Sequence, residues 1–246
     1  MDIDTYWEYS DPAASEARFR AALEGASGDE RLEILTQVAR SYGLRKRFDE
    51  ASRLLDEIAP QAQAAGPRVR ARYLLERGRT LNSSGRREEA RPRFVEAWDV
   101  ALAAREEGLA VDAAHMVAIT YSGTDGSFEW TDKGLALARG SKDAKAASLV
   151  PALLNNSAWD LYDLGRLDEA LARFREAQRE WEARGKPRQV HVARWSVARC
   201  LRAMGRHDEA LAVLSALQAE DAAAGAPDPQ VAAEIARNVA KDASAG

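Results

Sequence analysis

A pairing of small and large apolar residues returns about every 40 positions along the chain. Within each repeat, a small residue is followed three positions later by a large apolar one. In four of the five repeats, a second small residue stands twelve positions after the first, with a large residue four positions further on. Spacings of three and four place both residues on one helix face, so the pattern predicts two helices per repeat. The first stripe consists of Ala39 with Tyr42, Gly78 with Leu81, Ala118 with Tyr121, Ala158 with Leu161 and Ala198 with Leu201, and the second of Ala51 with Leu55, Ala90 with Phe94, Ala170 with Phe174 and Ala210 with Leu214.

The turn between the two predicted helices carries a glycine in three repeats, at Gly85, Gly165 and Gly205. A glycine adopts positive φ without strain and commonly ends a helix in this way. Lys46 and Asp125 occupy the position in the first and third repeats. The small residues let the two helices of a pair approach closely, and the large ones fill the space between successive pairs.

Residues 158–174 (Ala-Trp-Asp-Leu-Tyr-Asp-Leu-Gly-Arg-Leu-Asp-Glu-Ala-Leu-Ala-Arg-Phe) closely resemble a tetratricopeptide repeat, as do residues 198–214 and 78–94. The resemblance covers roughly residues 30–220, although the repeat length is 40 and not the usual 34. Residues 154–158 (Leu-Asn-Asn-Ser-Ala) are also similar to the start of the longer repeats of kinesin light chains. The resemblance implies an all-α fold, a right-handed superhelical solenoid of about five helix pairs with capping helices at both ends.

The predicted organisation is a single domain over residues 1–246. Asp11 followed by Pro12 is typical of a helix start, and Pro227 and Pro229 mark a break before a last helix. That last helix carries a stripe of Val231, Ile235 and Val239, and such terminal helices cover the exposed apolar face of a solenoid. The predicted bounds are 11–27 for the N-terminal capping helix, 30–66, 68–107, 109–142, 146–185 and 187–224 for the repeats, and 229–241 for the C-terminal capping helix.

The third repeat departs most from the pattern. Residues 121–128 replace the tight glycine turn, and Trp130 and Gly134 stand where a small and a large residue are expected. One interpretation is a degenerate repeat, with a distorted helix pair or a short second helix. The other is a kink that shapes a binding site.

Composition and charge limit the function classes. Hydrophobic residues at 46% and charged residues at 30% are typical of a globular protein, and a net charge of −4 lacks the basic footprint of a nucleic-acid binder. The single cysteine, Cys200, excludes an internal disulfide and is expected to pack as a small buried hydrophobe. No segment reaches the ~20 apolar residues that span a bilayer, and the acidic N-terminus lacks a signal core. We therefore expect a cytoplasmic protein without membrane or nucleic-acid partners.

Catalytic and metal-binding patterns are missing from the sequence. His115, His191 and His207 have no neighbours at metal-ligand spacing, and no nucleotide-binding, hydrolase or zinc-protease motif occurs. Acidic pairs such as Asp168 and Glu169 recur once per repeat at the start of the second helix, where they suit the helix dipole. The expectation is a protein that is not an enzyme and that holds no cofactor or metal.

The candidate binding site is a second face of the predicted first helices, beside the face that carries the small and large apolar residues. In repeats resembling these, that face lines a concave groove where peptides bind. In this sequence it is rich in arginine and aromatic residues, which are enriched in binding hot spots. The predicted groove residues are Arg40, Arg72, Arg79, Asn82, His115, Asn155, Asn156, Trp159, Tyr162, Trp195, Arg199 and Arg202. For Trp159 and Trp195 the alternative is packing against a neighbouring repeat or a capping helix.

A basic, aromatic groove suits an acidic peptide or helix, so the predicted function is a protein-protein interaction module. Two other functions fit the same sequence. In one, the groove or an end cap packs against a second copy, giving a self-assembling structural protein or homodimer. In the other, the chain is a regulatory sensor that binds a small acidic ligand.

Overall fold

The computed structural model describes residues 3–242, which form thirteen α-helices and one short 3₁₀ helix and contain no strand. The chain divides into two compact units. The N-terminal unit runs up to Ser122 and includes Gly126–Leu149, and the C-terminal unit comprises Gly123–Asp125 and everything from Val150 onward. The all-α prediction, with five helix pairs between terminal helices, is confirmed. The single-domain organisation stays a prediction.

The N-terminal unit contains the first three helix pairs. Its helices are η1 (Ile3–Tyr6), α1 (Pro12–Ala22), α2 (Gly28–Leu44), α3 (Phe48–Ala64), α4 (Pro67–Ser83), α5 (Arg87–Ala103), α6 (Glu107–Thr120), α7 (Asp125–Gly140) and α8 (Ala144–Ser148). In α1, the Asp11 side chain accepts hydrogen bonds from the backbone N–H groups of Ala13 and Ala14, which confirms the predicted helix start. In this unit α2 packs against α3 and α4 against α5, while α6 and α7 are the two helices of the third repeat.

The C-terminal unit contains the last two pairs and the terminal helix. Its helices are α9 (Val150–Asp163), α10 (Leu167–Ala183), α11 (Pro187–Ala203), α12 (His207–Ala223) and α13 (Pro229–Asp242). The turns inside both pairs use a glycine at positive φ, with Gly165 at 74° and Gly205 at 75°. In the first repeat Lys46 takes the same conformation at 61°. The left-handed turn is thus kept even where the glycine is replaced.

Close packing inside the second pair depends on Gly78 of α4. A Cβ atom at this position would lie 2.4 Å from a ring carbon of Phe94 on α5, and the Phe94 side chain is fully buried. Leu55 and Leu75 are buried in the same core. The predicted role of the small residue, to let the helices of a pair approach closely, is confirmed here.

The third repeat keeps two full helices with a shifted register. The first, α6, ends three residues earlier than the other repeats would place it, and α7 still spans 16 residues. Thr131 and Leu135, one residue beyond the predicted Trp130 and Gly134, are buried on α7, and Gly134 is buried as well. Trp130 instead packs edge-on against Trp98 of α5, with ring centroids 5.7 Å apart. A short second helix was therefore the wrong expectation, and an irregular turn over residues 121–124 accounts for the departure.

The terminal helix α13 uses a polar stripe that the sequence pattern did not indicate. Val231 is buried as predicted, but Val239 is 54% exposed, while Glu234 and Asn238 are fully buried. Arg202 of α11 and Arg237 both form ion pairs with the Glu234 carboxylate. Asn238 lies 3.2 Å from His207 Nδ1 of α12. The predicted valine stripe is thus wrong in its last member, because α13 docks partly through buried hydrogen bonds and ion pairs.

No helix within residues 3–242 has the length and apolar character needed to cross a membrane.

Candidate binding surfaces

In the N-terminal unit, the predicted groove arginines belong to a network of ion pairs. Arg40 Nη1 on α2 donates to Glu76 Oε1 on α4 at 3.2 Å, and Arg79 Nη1 donates to the same oxygen at 2.5 Å. Arg79 Nη2 also donates to both carboxylate oxygens of Asp112 on α6, at 2.6 and 2.5 Å. These four side chains, which we call the charge network, link three successive first helices.

The charge network makes the groove face of the N-terminal unit less basic than the sequence predicts. Glu76 is only 3% exposed and is the residue that sequence reasoning missed. A signal was present, since Glu76 and Arg79 stand three positions apart on one helix, a spacing at which ion pairs form. Arg72 in turn pairs with Glu33 of α2. The prediction of a basic groove is therefore wrong for this unit, because all three arginines there have an acidic partner.

Burial and charge together shift the pKa values in the network. Burial alone would raise the pKa of Asp112, but the adjacent Arg79 outweighs it and lowers that pKa to about 2. Burial also works against the charged form of Arg79, yet Asp112 and Glu76 raise the pKa of its guanidinium. Burial lowers the pKa of His115, one turn further along α6, although the nearby Asp112 acts in the opposite direction. Asn82 lies partly exposed near the end of α4.

A polar cavity of about 380 Å³ lies beside the charge network. Part of its wall comes from residues 3–10, which we call the N-terminal segment. Trp7 Nε1 of this segment donates to Gln37 Oε1 at 3.1 Å, and Asp4 accepts a hydrogen bond from Lys145 Nζ of α8 at 2.7 Å. The Arg40 guanidinium lies 5.7 Å from the Trp7 ring. The cavity is lined by Asp4, Tyr9, Gln37, Arg40, Arg68, Arg72, Leu75, Glu76, Arg79, Glu106, Gly108, Leu109, Asp112, Asp143, Lys145 and Leu149.

The C-terminal unit brings the predicted aromatic residues together around one arginine. Trp159 of α9 packs edge-on against Tyr162, with ring centroids 5.3 Å apart, and lies 6.2 Å from Trp195 of α11. The Arg199 guanidinium carbon is 5.2, 5.6 and 5.5 Å from the Trp159, Tyr162 and Trp195 ring centroids. These distances are within the range of cation–π attraction. We call the four residues the aromatic-arginine cluster.

Arg199 differs from the arginines of the N-terminal unit in its partners. Within the described residues it forms no ion pair, and its Nε atom is buried without a hydrogen bond. Arg202, one turn further on, is instead paired with Glu234 of α13. The structure therefore brings Arg199 together with the aromatic residues and directs Arg202 to the terminal helix. Asn155 and Asn156 lie partly exposed on α9, near the cluster in sequence.

The two tryptophans combine both of the roles considered for them. Trp159 contacts the buried Phe174 ring of α10 at 4.8 Å between centroids, and Trp195 Nε1 donates to the Gln230 carbonyl at 3.4 Å. Each side chain nevertheless remains partly exposed. Each therefore packs against neighbouring helices on one side and leaves part of its surface open.

Comparison with known proteins places the fold. No protein-family model and no curated protein matches the chain. Among solved structures, BtubC (BKLC) from P. vanneervenii superposes with a TM-score of 0.70 at 15% identity, over 93% of this chain and 94% of that one. A Podosopora anserina putative kinesin light chain with nearly identical TPR-like repeats gives 0.65 at 19% identity, over 81% and 99%. The structure of NprR in complex with its cognate peptide NprX gives 0.56 at 12% identity, over 88% and 65%. Likenesses at these identities show the fold, a tetratricopeptide-like helical repeat.

Proposed function

We propose that this tetratricopeptide-like repeat protein is a protein-interaction module that binds an acidic peptide or helix through the aromatic-arginine cluster. One observation carries the proposal: Arg199 is a partly exposed guanidinium among three aromatic rings, with no carboxylate paired to it within residues 3–242. The proposed activity is binding without catalysis. We place it in the cytoplasm, in keeping with the single cysteine.

The chemistry of the cluster favours a carboxylate. A guanidinium held over aromatic rings keeps its in-plane N–H donors, and a ligand carboxylate accepts two of them side by side. Charge-assisted hydrogen bonds of this kind contribute about 1.5–3 kcal/mol. Partly exposed tryptophan and tyrosine rings around the charge add apolar contact area, which is the composition of interaction hot spots. The peptide held in the NprR structure supports a peptide as the ligand of this protein, because the NprR fold is similar to this one.

Selection from a phage-displayed library of random peptides tests the proposal. The selected peptides should be enriched in aspartate, glutamate or a free C-terminal carboxylate. Fluorescence anisotropy with a labelled selected peptide should show affinity falling as salt rises, because exposed charges are screened. Arg199→Gln should weaken binding by roughly 10-fold to 150-fold, the equivalent of one charge-assisted contact.

Arg194→Gln is the matched control. Arg194 lies on the same helix, α11, and pairs with Glu220 at 2.7 Å, so its replacement removes the same charge away from the aromatic rings. That variant should bind like the original protein, and circular dichroism should show both variants folded. Equal binding by the Arg199→Gln variant, or selected peptides without acidic enrichment, would contradict the proposal. Light scattering that shows a dimer at working concentration, lost in the Arg199→Gln variant, would assign the same face to self-association.

A further inference from the structure

The cavity of the N-terminal unit combines a polar lining with balanced charge. Five of its lining side chains are cationic and five are carboxylates, and only three leucines line it. Arg72 and Glu76 both line it and stand four positions apart on α4. Residues at that spacing lie on one helix face about 6 Å apart and commonly pair with each other. Here they do not, because Arg72 contacts Glu33 and Glu76 holds Arg40 and Arg79.

Glu76 keeps one carboxylate oxygen without a hydrogen bond. Arg40 and Arg79 both donate to Oε1, while Oε2 is buried and has no protein partner. A buried acceptor without a donor destabilises the fold, and a charged one does so more strongly. A network that served only to join the repeats would be more stable with both oxygens paired. Glu76 lines the cavity, and its incompletely paired carboxylate therefore suits a cationic donor from outside the chain.

Arg72 and Arg40 supply the opposite charge. Arg72 forms an ion pair with Glu33, and within the described residues its guanidinium makes no hydrogen bond, its buried Nε included. Arg40 uses only Nη1 on Glu76, and its ring contacts with Trp7 and Tyr9 leave Nη2 as a donor. Two guanidinium groups on neighbouring helices, α2 and α4, form a suitable site for a carboxylate.

We propose that this cavity binds a small zwitterion of the amino-acid class, with its carboxylate on Arg40 and Arg72 and its ammonium group on Glu76. A net-neutral ligand with both charges close together keeps the charge balance of the lining, whereas a simple anion or cation adds a net charge to the cavity. A cavity of about 380 Å³ is within the size range of small-molecule sites.

The experiment is calorimetry and a thermal melt of the full chain with each free L-amino acid in turn. At least one should bind and raise the melting temperature, since a ligand that binds only the folded state stabilises it. Its N-acetyl derivative, which lacks the positive charge, and its amide, which lacks the negative charge, should each bind at least 10-fold more weakly. These comparisons use the unaltered protein and do not depend on any variant folding.

Two variants then locate the site. Glu76→Gln and Arg72→Gln should each weaken binding of that amino acid by roughly 10-fold to 150-fold, one charge-assisted contact. Arg199→Gln, in the C-terminal unit, should leave it unchanged, so this proposal and the proposed peptide site fail independently. Absence of binding by every amino acid would overturn the proposal, as would equal binding of the blocked derivatives.

Discussion

Replacing Gly78 by alanine should destabilise the N-terminal unit by about 2 kcal/mol, although alanine stands at the equivalent position of the other four repeats. Sequence reasoning alone gives the opposite sign, because alanine in a helix interior is favoured over glycine by about 1 kcal/mol. The structure reverses it. The added Cβ would lie 2.4–2.8 Å from three carbons of the Phe94 ring, far inside the 3.5–4.0 Å at which carbon atoms pack.

The magnitude follows from how little Phe94 can move. Its ring is fully buried in the core of the N-terminal unit, so relief requires the two helices to separate. Overpacking of this kind costs about 1–3 kcal/mol, and we expect the upper end because the contact is with a rigid ring. Subtracting the gain in helix propensity leaves about 2 kcal/mol, equivalent to a melting temperature lower by roughly 4–8 °C.

Urea unfolding followed by circular dichroism measures the change, with two comparisons. Gly43→Ala is the matched control, since Gly43 lies in α2 with no atom within 4 Å of a built Cβ, and this variant should be as stable as the original or more so. Gly78→Ala combined with Phe94→Leu restores the alanine–leucine pair of the first and fifth repeats. The double variant should be at least 1 kcal/mol more stable than the sum of the two single changes. A Gly78→Ala variant as stable as the original protein would refute the packing argument.

Three further predictions concern titration, the terminal helix and the cysteine. The pKa of Asp112 is lowered to about 2 in the folded protein, against about 4 in the unfolded chain, so the ionised carboxylate adds about 2 kcal/mol to the free energy of unfolding. This contribution is present above pH 4 and is lost as the pH falls toward 2. Urea unfolding at pH 5 and pH 2 should show the loss, and Asp112→Asn should remove this part of the pH dependence. Glu234→Gln leaves Arg202 with a neutral partner in a buried site and should cost about 3 kcal/mol; proteolysis should then release α13 faster, and unchanged proteolysis would contradict this. Burial raises the pKa of the Cys200 thiol to about 11, so iodoacetamide at pH 8 should not modify the folded protein but should label it in urea.

The repeat architecture could be predicted from the sequence because its cause is local and periodic. A small residue where two helices cross returns at a fixed interval, as at Ala158 and Ala198, and both are fully buried. The third repeat shows the limit of this reasoning. There Thr131 and Leu135 are buried together with Gly134, so the core face of the second helix extends one residue beyond the counted positions after an irregular turn.

The helix faces that carry the candidate sites could be predicted from the sequence, but the ion pairs formed by their residues could not. Counting positions placed Arg40, Arg79 and Arg199 on the first helices, where the structure has them. Which arginine finds a carboxylate depends on residues distant in sequence, since Asp112 stands 33 positions after Arg79. Glu76 is hidden from the same counting, because a glutamate on the buried side of a helix contradicts the apolar pattern unless its partners are known.

The bond between Asp4 and Lys145 has a consequence for the order of events during synthesis. These residues are 141 positions apart, whereas almost all other contacts of a repeat protein join neighbours. At roughly 5–20 residues per second, the lysine leaves the ribosome about 7–30 s after the aspartate. Ile3 packs with Phe19 and Ile34, which belong to the first few dozen residues of the chain. The N-terminal segment therefore packs against α1 and α2 before Lys145 is synthesised. The last wall of the charged cavity thus closes only when α8 has been made, which places its completion at the end of the unit's translation.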